Sequence, residues 1–152
     1  MDFTEEIIEE LRTKIALSLN GIIEDLSTVA VPLSEIEESN LILWTFNPLE
    51  QVPQSISIIP DTMERLETED AYNSYSVLQG LSVFLLIEQG TADEALAYKQ
   101  LSGYARALVT LINANFPEYD WSSMDYFQGL ANDYSKKWIE LKMSIKKTIE
   151  LA

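Results

Sequence analysis

PQSISIIPD, residues 53–61, and SYSVLQGLSVFLLIE, residues 74–88, lie on either side of the acidic connection TMERLETEDAYN and are followed by the helical opening TADEALAYKQ, residues 91–100. Ser55 to Ile59 is a β-branched run between Pro53 and Pro60, which have no N–H to give a ladder, so the spacing predicts a short strand stopped at Pro60-Asp61. From Ser74 to Glu88, Val77, Leu81, Val83, Leu85 and Ile87 share one parity while Leu78, Phe84 and Leu86 take the other. Both faces turn apolar toward the end of that run, the signature of a central strand. Thr91 and Glu94 have the spacing of a capping box. They open a predicted helix over about 92–115, with Ala97, Leu101, Tyr104, Leu108 and Leu111 as its inner stripe and Asn113 to Pro117 as its stop.

Working outward, Thr4 is the expected N-cap of a first helix over about 5–19, with Phe3 and Ile8 spaced as a hydrophobic staple. Ile7, Ile8, Leu11, Ile15 and Leu19 form one apolar stripe, and Asn20-Gly21 is a candidate end. Residues 27–51 are broken by Pro32, Pro48 and acidic residues and predict one strand plus loops. Residues 117–137 are expected to be a loop or insertion containing Tyr119 and Trp121. The last stretch alternates, with Ile139, Leu141, Met143 and Ile145 inward and Glu140, Lys142, Ser144 and Lys146 outward, which predicts a half-exposed strand over about 138–146. The expected fold is a single α+β domain over 1–152, a mainly antiparallel sheet covered on one face by two helices.

The chain contains neither His nor Cys. Histidine-based triads, cysteine nucleophiles, thiolate zinc sites and disulfides are therefore excluded. Twenty-five acidic residues make carboxylate pairs too common for any one to mark acid/base catalysis. The acidic connection at 61–73 lacks the turn glycine and ligand spacing of an EF-hand. No enzyme activity, cofactor or metal site is expected. The acidic start lacks the positive region of a secretory signal, and no window is apolar enough for a membrane helix, so a cytoplasmic site of synthesis and no membrane partner are expected.

Charge is divided along the chain. Residues 1–135 hold five basic against 23 acidic residues, net −18, whereas Lys136, Lys137, Lys142, Lys146 and Lys147 against Glu140 and Glu150 give residues 136–152 a net +3. A field of this sign repels phosphate backbones, so specific nucleic-acid binding is not expected. Lysines on a final strand either protect a sheet edge or dock on an acidic surface of another copy. The dense aromatics Tyr119, Trp121, Tyr126 and Phe127 suit either a core or an interface.

The element order resembles the tail terminator, or tail completion, proteins of long-tailed bacteriophages and their minor tail relatives. The likeness rests on Pro53 to Asp61, Tyr75 to Ile87, and Thr91-Ala92-Asp93-Glu94-Ala95-Leu96 with the helix they open. The resemblance implies a virion protein without catalytic residues. It would form a homo-oligomeric ring, commonly a hexamer, that ends the tail tube and joins the head connector. In such a ring the candidate contacts between subunits are Lys142 and Lys146 against Glu64, Glu67, Glu69 and Asp70, with Tyr119 and Trp121 as aromatic contacts. The competing class is an acidic α+β binding or regulatory module that engages a basic protein or mimics DNA.

Overall fold

The computed structural model describes residues 2–66, 74–88, 94–129 and 136–150, with the backbone alone at residues 74 and 150. The elements run α1 (Phe3–Leu26), β1 (Leu41–Leu43), β2 (Ser55–Leu66), β3 (Ser74–Glu88), α2 (Glu94–Asn113), β4 (Tyr119–Gln128) and β5 (Lys136–Glu150). They form a five-stranded sheet in the order β1-β2-β3-β5-β4. β1 runs parallel to β2, and every other neighbouring pair is antiparallel. The expected α+β class, two helices against one face of a mainly antiparallel sheet, is the fold adopted.

The core lies between the helices and that face. Ile7, Leu11, Ile15 and Leu19 of α1 and Leu101, Leu108 and Leu111 of α2 join Ile56, Ile58, Leu81, Val83, Leu85, Ile139, Leu141 and Ile145 in one buried cluster. Each fully buried aliphatic side chain there contributes about 1.5–3 kcal/mol relative to an exposed one. The inward residues of β3 and β5 are those that the alternation assigns to one parity. Their partners across the ladder, such as Val83↔Leu141 and Leu85↔Ile139, share a face as well.

Several boundaries differ from the expectation. α1 starts earlier, with Asp2 rather than Thr4 as N-cap: the Asp2 carboxylate accepts from the Glu5 N–H at 2.8 Å. The Thr4 hydroxyl instead donates to Gln79 Oε1 at 3.2 Å. α1 also runs through Asn20-Gly21 to Leu26, because Asn20 spends its amide on a loop, donating to Ile36 O and accepting from Ile36 N. Ile23 continues the buried stripe in that added turn.

Pro60 does not end β2. The strand passes it on a bulge between Pro60 and Met63 and continues to Leu66, so residues 61–66 are strand rather than loop. A bulge is where a strand tolerates a missing donor. Gln79, buried beneath it, donates to Asp61 O and Gly80 O. A Cβ on Gly80 would stand 3.0 Å from Thr62 O, so the bulge needs a glycine opposite.

The expected loop over 117–137 contains β4, an edge strand whose alternation slips at a second bulge between Trp121 and Ser123. That slip is why no period of two is visible in its sequence. β5 is longer than the predicted 138–146, pairing with β3 from Lys136 to Glu150. The expected capping box falls on residue 91, outside the described residues; α2 is described from Glu94.

Candidate interaction surfaces

The helices leave the other face of the sheet uncovered. Residues of opposite parity, Ser57, Phe84, Trp138, Glu140 and Lys142, point there. The segment from Trp44 to Gln54, between β1 and β2, crosses part of this face as a strap. Phe46 on the strap stacks on Phe84 at 4.2 Å between ring centroids and meets Trp138 edge-on at 5.7 Å, while Trp138 stacks on Phe127 at 5.9 Å. Gln51 donates to the Ser55 and Ser57 hydroxyls, and Lys136 Nζ donates to Leu49 O at 3.0 Å. Both ends of the strap hold left-handed residues, Trp44 at φ 74° and Gln54 at φ 61°. For residues with a Cβ this conformation costs about 1–2 kcal/mol each, which the strap's anchors must offset. Beside the strap, Pro48, Leu49, Phe127, Trp138 and Lys136 line a mainly apolar cleft of ≈ 410 Å³.

β4 forms one edge of the sheet and exposes Trp121, Tyr126 and Phe127. Its Asp125 stands directly across from Glu140 on β5, on the uncovered face. Like charges at such a position, about 5 Å apart at Cβ, repel one another and destabilise the pair of strands.

Past Pro60, β1 no longer accompanies β2, and past Lys146, β4 no longer accompanies β5. β2, β3 and β5 therefore continue as a three-stranded ribbon. Both of its outer edges are without a strand partner among the described residues. Asp61 to Arg65 are all exposed along one edge, and Lys146 and Thr148 are exposed along the other. At the ribbon's root, Lys147 Nζ lies 2.7 Å from Glu10 and 3.8 Å from Glu118. On β4, opposite Ile145, Tyr119 is 2% exposed and its hydroxyl has no hydrogen-bond partner among the described residues. Burial, reinforced by Glu10 and then Glu118, pushes that phenol well above its ordinary value. Lys14 Nζ stands 5.4 Å from the centroid of the same ring.

The sequence-predicted contact residues thus separate. Lys142 is exposed on the uncovered face, in the row of Ser82 and Ser123. Lys146 and Glu64 lie in one row across the ribbon, since both stand opposite Leu78, on β5 and β2 respectively. Trp121 is exposed on the β4 edge, whereas Tyr119 packs inside the core and presents no surface to a neighbour. Glu67, Glu69 and Asp70 lie outside the described residues. The aromatic group of Phe46, Phe84 and Trp138 was not singled out from sequence, because it comes from three separate segments. Its available signal was the pair of aromatics, Phe84 and Trp138, on the outward parity of otherwise well-read strands.

Among the described residues no group of three or more acidic side chains could hold a metal ion, and no helix is long and apolar enough to cross a membrane. No protein-family model matches the chain, and no curated protein matches it.

Proposed function

We propose that the chain is a non-catalytic structural subunit of the tail or neck of a long-tailed bacteriophage. With copies of itself it forms a ring, a hexamer by the family's pattern, that ends the tail tube and receives the head connector. The phage assignment is supported by the order of elements, and the assembly role by the ribbon with two bare edges on opposite sides. A closed ring needs different and complementary patches on two sides of one subunit, and the ribbon supplies such a pair. Light scattering after size exclusion, at several protein and salt concentrations, tests the ring. A particle of several subunits is expected, and a monomer at every condition contradicts the proposal.

The second reading, an acidic module for a basic partner, has its own observation in the Asp125–Glu140 pair, which lies beside exposed aromatics. A cationic side chain from another protein would relieve that repulsion. Tight one-to-one binding of a basic partner by a persistent monomer would favour it.

A further inference from the structure

The two bare edges of the ribbon differ in charge and agree in direction. On one side, β2 presents Asp61 and Glu64, exposed and without an ion pair among the described residues, next to Arg65, whose guanidinium stands 5.1 Å from the centroid of the Tyr75 ring. On the other, β5 presents Lys146, exposed and likewise without an ion pair among the described residues. β2 and β5 both run antiparallel to β3, so they run parallel to each other. The backbone of β5 also offers a free donor. Lys146 sends its N–H outward to Glu118 O at 2.8 Å. Backbone groups alternate from side to side along a strand, so the N–H of Thr148 points to the same edge, beyond the end of β4.

We infer that the partner of this edge is a second copy of the chain: the Lys146–Thr148 edge of β5 in one subunit pairs in parallel with the Asp61–Leu66 edge of β2 in the next. The inference rests on the ring proposed above and adds the surface that closes it. Rotation about an axis along the strands preserves both their direction and the height of each row. It therefore sets β5 of one copy parallel to β2 of its neighbour. It also brings together residues that share a row within one subunit: Lys146 beside Glu64, Thr148 beside Leu66, and, between them, Lys147 beside Arg65, where Lys147 is already paired with Glu10 and Arg65 stands over the Tyr75 ring. Charge selects this pairing over its rivals, because two β2 edges would oppose Asp61 and Glu64 to each other and two β5 edges would oppose Lys146 to Lys146. Closing the ring removes the two edges that a lone subunit leaves open.

The test compares the full-length protein with Lys146→Glu, Glu64→Lys, the double reversal and Thr148→Pro, by light scattering over a concentration series with circular dichroism on each. Each single reversal should raise the concentration of half-assembly by about two- to fivefold per interface, compounded around the ring. The double reversal should restore it toward wild type. Thr148→Pro removes the outward donor, at a position where sheets accept proline, together with the hydroxyl's 3.3 Å contact to Ser76 Oγ, and should leave a folded monomer; Thr148→Val, which loses the hydroxyl and keeps the N–H, controls for that contact and should assemble. An oligomer indifferent to the single reversals and to the proline overturns the edge pairing while leaving the ring intact. A double reversal that assembles no better than the singles overturns the Lys146–Glu64 contact. A wild-type chain that stays monomeric defeats the ring itself, a result the variants cannot mimic.

Discussion

Replacing Tyr119 by Phe should make the protein more stable. The ring sits in the core at 2% exposure, and its hydroxyl finds no partner among the described residues. An unsatisfied buried polar group costs about 1–3 kcal/mol. Phenylalanine keeps the ring, including its place under Lys14, and removes only the oxygen. The void left is about 10–15 Å³, which at about 24 cal/mol per Å³ costs about 0.3 kcal/mol. A net gain of about 0.7–2.7 kcal/mol follows, seen near pH 7 as a higher urea midpoint with unchanged slope, or as a melting temperature raised by about 1–11 °C. Alkaline pH gives an independent check. The folded state holds the phenol neutral above the ordinary value of 10.0, so the unfolded chain releases this proton first. Stability from this group is fully present below about pH 10 and is lost as pH rises beyond it. The advantage of Tyr119→Phe should therefore be constant below about pH 10 and widen above it. A variant that is less stable near pH 7, or whose alkaline limb runs parallel to wild type, refutes the reasoning and implies that the hydroxyl is hydrogen-bonded.

Two further substitutions probe the uncovered face. Phe46→Ala removes the ring that holds the strap to Phe84 and Trp138; it should cost about 1–3 kcal/mol and make residues 44–54 the first site cut in limited proteolysis, whereas global unfolding without local cleavage would show that the strap has no independent anchor. Glu140→Lys turns the repulsive pair with Asp125 into an attractive one and should add about 0.5–1 kcal/mol in chemical denaturation at low salt, an effect that fades as salt is raised; a loss of stability would mean that the carboxylates are not in register.

Strong periodicity was legible and irregular backbone was not. The paired parities of β3 and the stripe of α2 fixed a central strand and a core helix, and with them the layer architecture. Pro60 misled because proline forbids a ladder donor only where the ladder is regular, and a bulge supplied with Gln79 and Gly80 opposite it removes that condition. β4 escaped for the same reason, since its slip at Ser122 puts Trp121 and Tyr126 out of alternation. The charge split did point to Lys146 and Glu64 together, but placing them in one row required the registers of three strands. Tyr119 and Trp121 looked equivalent by type and proximity. Only packing in the core, beneath the Lys14 side chain, separates a buried ring from an exposed one.

The fifteen-pair ladder between β3 and β5 carries a consequence for how the molecule is put together. It is centred on Leu81 opposite Met143. On one side lies a helix followed by a hairpin, α1 then β2–β3; on the other lies the same scheme, α2 then β4–β5. The order β2-β3-β5-β4 thus reads as two helix–hairpin units related by an approximate topological dyad, with β1 appended to one of them. Each unit is local in sequence, while the seam joins residues far apart along the chain. Closing that seam is the step that must overcome the larger loss of chain entropy, so the two halves are expected to gain structure before the ladder unites them.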